Sequence, residues 1–202
     1  MKEDKNLTPS SAEGRRQFNK VRNYYLQPLN EQGLLPRDGN GILHVLSVGC
    51  GFSAHEAVPL QKLGNVQYKG IDISPRRISS AECSNLDVDP ECFQVEDARK
   101  IVSKERNRYG LIVMKNPQVL DDPEDDLGEK SWFQIFKSSC KKLSPNGYIF
   151  VSVDDPLYER AYAKTYLERL GVKIVIDEKT RALPSDNLST EDYWIILGKK
   201  EN

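Results

Sequence analysis

Short apolar runs that alternate with helical patterns along most of the chain constrain its fold more than any other feature. The runs span residues 42–48, 66–73, 92–95, 109–114, 148–153, 172–176 and 193–197. Runs without a regular polar face suit strands buried on both sides. Helical patterns lie between the first six, over residues 53–63, 75–84, 98–106, 130–143 and 156–170. Pro75 opens one helix, since a first turn tolerates its missing N–H. Ser144-Pro145-Asn146-Gly147 reads as a turn, and Gly171 as the residue that closes a helix. Alternation of this kind implies a parallel sheet covered on both faces. No helical pattern separates the last two runs, so they are expected to pair as an antiparallel hairpin. The expected fold is α/β: a doubly wound, mostly parallel seven-stranded sheet with a C-terminal antiparallel hairpin and helices on both faces.

Ahead of this alternation, residues 11–32 read as a helix. Phe18, Val21, Tyr25 and Leu26 recur there at three- and four-residue spacing, and Pro28 is expected to end or kink it. The chain thus divides into an N-terminal helical extension, residues 1–40, and a main domain, residues 41–202. With 38% hydrophobic and 29% charged residues, 202 residues suffice for one domain with a buried core. The formal net charge of -1 carries no basic excess, which argues against nucleic acid as a partner. No apolar run approaches the ~20 residues that cross a bilayer, and the polar start lacks a signal-peptide core. A cytoplasmic protein without a membrane partner is expected. Cys50, Cys83, Cys92 and Cys140 lack CxxC spacing, so reduced thiols rather than a metal site are expected. Nothing in the sequence sets an oligomeric state.

The chemistry concentrates at strand ends. Leu46-Ser47-Val48-Gly49-Cys50-Gly51-Phe52-Ser53-Ala54 follows a buried strand and opens a helix. Glycines there let the backbone turn sharply and let a ligand approach closely, beside a helix start rich in unpaired N–H groups. Ligands of doubly wound folds sit at this carboxyl end of the sheet. Asp72 ends the second strand at the spacing from which a carboxylate reaches a nucleotide ribose, although it could also simply cap the helix that begins near Pro75. Glu96-Asp97-Ala98 ends the third strand and Met114-Lys115-Asn116-Pro117 the fourth. All four features fall on one rim of one sheet.

These residues, with Gly70-Ile71-Asp72-Ile73-Ser74 and Leu143-Ser144-Pro145-Asn146-Gly147-Tyr148, make residues 42–199 resemble the class I S-adenosylmethionine-dependent methyltransferases. The resemblance implies S-adenosylmethionine as cofactor. Gly49 and Gly51 would border its methionine part, Asp72 would hold the ribose, and Ile73 would pack on adenine. Asp97 would meet the adenine amino group, with Ala98 leaving room for the ring. Asn116 would lie near the sulfonium. Ser47 stands where the family often has Asp or Glu, and Ser53 where it often has glycine. Ser47 accepts a hydrogen bond but offers no charge to the cofactor's ammonium group.

The acceptor is less marked. Alignment supplies much of the acceleration in methyl transfer, so the absence of an obvious base does not argue against activity. Asn116 and His55 are the catalytic candidates. Asn116-Pro117-Gln118 matches only part of the Asn-Pro-Pro-aromatic tetrad of enzymes that methylate amide or adenine nitrogens. His55 is placed one turn into the glycine-loop helix, where a surface or capping role is the alternative. Tyr24 and Tyr25 would pack the core or cover the cofactor. The acidic run Asp121-Asp122-Pro123-Glu124-Asp125-Asp126 would favour a small cationic or basic-peptide acceptor, or be a solvated loop. Two other readings stand beside methyl transfer: a non-catalytic S-adenosylmethionine-binding regulatory or scaffold protein, and a nicotinamide-dependent oxidoreductase, whose fingerprint Gly49-x-Gly51-x-x-Ala54 formally satisfies.

Overall fold

In the computed structural model, which describes residues 9–101, 108–115, 129–153, 158–180 and 193–201, the apolar runs form one seven-stranded sheet. Its strands are β1 (Leu43–Val48), β2 (Val66–Asp72), β3 (Phe93–Val95), β4 (Tyr109–Lys115), β5 (Leu143–Val153), β6 (Val172–Thr180) and β7 (Tyr193–Lys200). Their order is β3-β2-β1-β4-β5-β7-β6. The first five strands run parallel, and β7 pairs antiparallel with both β5 and β6. The expected hairpin is therefore present, with its second strand inserted beside β5.

The helices are α1 (Pro9–Val21), α2 (Gln27–Glu31), α3 (Ala57–Gln61), α4 (Pro75–Ser84), α5 (Glu129–Lys142) and α6 (Tyr158–Arg169). Alternate side chains of each strand point to opposite faces, which divides the core in two. Val45, Leu111, Val113, Phe150 and Ile195 pack with Phe18 of α1, Leu60 of α3 and Ile78 of α4. Leu46, Ile112, Met114 and Ile149 pack with Phe136 of α5 and Leu167 of α6. No helix among the described residues is long and apolar enough to cross a membrane.

The N-terminal helical path, expected to end or kink at Pro28, does not end there. It takes a π-helical turn over Arg22–Leu26, where the Gln27 N–H bonds to the Arg22 carbonyl, and continues to Glu31. Pro28 offers no N–H and crowds the turn before it, and a wider turn accommodates both. The helix expected over residues 53–63 is confined to Ala57–Gln61. Ala54 adopts a left-handed conformation (φ 40), which interrupts any helix passing through it. Pro59 also restricts the start, because proline is tolerated only in a first helical turn. The turn at Ser144–Gly147 exists, but as an interruption inside β5, whose pairing with β4 already begins at Leu143 opposite Tyr109.

Candidate functional site

Strand register assembles the site. Ser47 lies opposite Gly70 and Val113, Lys115 opposite Ser152, and Ser152 opposite Ile195. These positions share one sheet face at the carboxyl rim, the face covered by α1 and α3. Lys115, Ser152 and Ile195 of this set border a cavity of about 460 Å³. Lys115, Ser152, Phe150 and Ile195 line its strand side, Gly14, Gln17, Phe18 and Val21 of α1 its outer wall, and residues 49–55 its remaining side.

The glycine loop sits as its composition requires. Gly49 and Gly51 have φ of 64 and 68, a region costly for residues with a Cβ, and the space beside Gly49 is open. The Cys50 N–H bonds to the Ile71 carbonyl at 3.0 Å, extending the β1–β2 pairing into the loop. Asp72 is buried; its carboxylate accepts from the Gly51 N–H at 3.1 Å and the Ser74 N–H at 2.9 Å. The cap of α4 is Ser74, whose hydroxyl accepts from the Arg77 N–H. Asp72 is thus a link between loop and strand rather than the helix cap.

Beneath the loop lies a polar cluster that sequence reading missed. Glu56 is fully buried; Ser47 donates to it at 2.5 Å, Tyr68 at 3.0 Å, and Lys115 forms an ion pair with it. Burial alone would raise the Glu56 pKa, but the Lys115 cation and the donated hydrogen bonds hold it below its ordinary value. The only signals in the sequence were an acid in an apolar stretch and a lysine ending an apolar strand. Asn85, also fully buried, donates to the Ser53 carbonyl at 2.7 Å and accepts from Arg15 at 3.1 Å, so it joins α4, the loop and α1.

His55 lies in the turn before α3, not one turn into the helix. Its Nε2 is buried without a hydrogen-bond partner. Gly14 permits the close approach of α1, since a Cβ there would fall 2.0 Å from His55 Nδ1. Burial first, then the Lys115 cation, lowers the His55 pKa from 6.5 to about 4; Arg15 adds to this and Glu56 opposes it. An unfolded chain therefore takes up a proton near pH 6.5 that the folded chain refuses until about pH 4. Stability should fall across that window on acidification, by less than the roughly 3 kcal/mol that the full shift would give, because the imidazole is only partly buried and solvent screens it. Urea unfolding of wild type and His55→Gln from pH 7 to pH 4 checks this; equal slopes for the two would refute it.

The remaining candidates divide. Ile73, Phe52 and Val95 expose apolar surface at the rim, and the guanidinium of Arg77 lies 5.5 Å from the Phe52 ring centroid. Asp97 accepts from the Arg99 guanidinium at 2.8 and 2.9 Å and from the Arg99 N–H, so its oxygens are already engaged. Ala98 is half-buried and begins a short 3-10 turn. Tyr25 is buried and donates to Glu178 at 2.7 Å, whereas Tyr24 is exposed. Asn116 and the acidic run lie outside the described residues.

The sequence matches no protein-family model and no curated protein. Solved structures do match. Magnesium protoporphyrin IX methyltransferase from Synechocystis, with bound S-adenosylmethionine, aligns with a TM-score of 0.63 at 16% identity, over 92% of this chain and 80% of that one. The N-methyltransferase NodS from Bradyrhizobium japonicum, in complex with S-adenosyl-L-homocysteine, aligns at 0.59 and 15%, over 91% and 88%. An S-adenosylmethionine-dependent methyltransferase from Clostridium acetobutylicum aligns at 0.64 and 12%, over 93% and 92%. With this strand order and these likenesses, the chain has the fold of the class I S-adenosylmethionine-dependent methyltransferases.

Proposed function

We propose that the protein transfers a methyl group from S-adenosylmethionine to a small acceptor held in the cavity between the sheet rim and α1. The observation that carries this reading is the meeting of three features at one place: the left-handed glycine loop, the buried Asp72 carboxylate tied to it, and the adjoining cavity.

The residues present fit the cofactor. The open space at Gly49 admits a close ligand. Each Asp72 oxygen takes one backbone N–H and has a further lone pair for a ribose hydroxyl. Ile73, Phe52 and Val95 offer apolar surface for a purine, since exposed apolar patches commonly mark ligand sites. When bound, the cofactor supplies a sulfonium-activated methyl group, which leaves sulfur as the acceptor's lone pair forms the new bond. The chain's part is alignment and exclusion of water. Helix α1 covers the cavity through Phe18 and Val21.

Calorimetric titration tests the reading. S-adenosylhomocysteine should bind and NAD should not. Binding of NAD without any S-adenosylhomocysteine signal would reverse the assignment in favour of an oxidoreductase.

A further inference from the structure

Resting on the reading above, we infer that the acceptor is a small, mostly apolar molecule bearing a carboxylate, which the Lys115 ammonium holds. Among the described residues that line the cavity there is no Asp or Glu, and Lys115 carries the one formal charge. The rest of the lining is apolar, with Gln17, Ser53 and Ser152 as its uncharged polar side chains. A cationic acceptor would have to lose its water beside a fixed ammonium group, an unfavourable meeting of like charges.

The pairing of Lys115 with Glu56 leaves the lysine available. An ammonium group has three donors, and the pair engages only part of that capacity. Glu56 is fully buried and already receives the Ser47 and Tyr68 hydroxyls, so it presents nothing to the cavity. It acts as a positioning residue that fixes the lysine. Ser152 lies opposite Lys115 across the β4–β5 pairing and lines the same cavity, so its hydroxyl stands near the ammonium as a neutral donor. The volume, about 460 Å³, lies at the small end of ligand pockets and suits a small acceptor.

The test uses protein saturated with S-adenosylhomocysteine and three probes on one ring: para-hydroxybenzoate, para-hydroxybenzyl alcohol and para-hydroxybenzylamine. Calorimetry should show the carboxylate binding at least about tenfold tighter than the alcohol, the scale of one charge-assisted hydrogen bond, with the amine weakest. Removing Lys115 alone would strand the Glu56 carboxylate, so the variant combines Lys115→Met with Glu56→Gln. It should lose the carboxylate preference and keep its affinity for S-adenosylhomocysteine, which also reports an intact fold. Tighter binding of the amine, no carboxylate binding at millimolar concentration, or an unchanged preference in the variant would overturn the inference. A parallel loss of S-adenosylhomocysteine affinity in the variant would overturn it too, assigning Lys115 to the cofactor's own carboxylate. If S-adenosylhomocysteine fails to bind the wild type, the methyltransferase reading itself falls.

Discussion

Lys115→Met should unfold about 10 °C below the wild type, the largest loss expected from a single exchange at this site. Removing one partner of a buried pair leaves an uncompensated charge and costs about 3–5 kcal/mol. Glu56 has no exposed surface through which water could replace the lysine. In a domain of this size each kcal/mol moves the midpoint by roughly 2–4 °C. The double variant Lys115→Met/Glu56→Gln should recover most of the loss, because it removes both charges and leaves a neutral group for Ser47 and Tyr68 to bond. Thermal unfolding of the two single variants and the double closes the cycle. A single Lys115→Met protein that melts with the wild type would show that the pair does not stabilise the fold. The acid side follows the same logic. The folded-state pKa of Glu56 is held below its ordinary 4.5, so its contribution is present above that pH and is lost as pH falls through the folded value.

Asp72→Ala should weaken S-adenosylhomocysteine binding by at least about a hundredfold. Two effects combine. In the proposed complex the carboxylate would accept charge-assisted hydrogen bonds from the ribose hydroxyls, each worth roughly 1.5–3 kcal/mol. The same carboxylate holds the Gly51 N–H, so its removal also releases the glycine loop from β2. Asp72→Asn keeps one oxygen acceptor and should lie between Ala and wild type. Circular dichroism separates loss of affinity from loss of fold. Unchanged affinity in a folded Asp72→Ala protein would reduce this residue to a structural link.

The two charge-bearing regions point in opposite directions. The acidic run at residues 121–126 favours a cationic acceptor, whereas the described cavity lining carries a lysine and no carboxylate. The lining is the stronger guide to the bound acceptor. Groups in contact with a ligand act in a medium of low dielectric, where charges interact most strongly.

Features whose signals are local were legible by inspection. The bounds of α4 coincide with the reading from Pro75 and the apolar spacing, and the terminal hairpin followed from the absence of a helical pattern before β7. The glycine loop and Asp72 were also marked by residue type and spacing alone. α3 was misjudged because the left-handed turn at Ala54 is not a propensity of alanine; the packing around it imposes that conformation. Local chemistry likewise gave no reason to join Ser47, Glu56, Tyr68 and Lys115. Their meeting depends on the parallel register of β1, β2 and β4, which turns these side chains to one face beneath α3. The sequence by itself determined the order of elements, because periodicity and turn residues act over a few positions. Only the tertiary structure decided which charge faces the cavity, because that depends on Lys115 finding its counterion 59 residues earlier in the chain, where no sequence pattern connects the two.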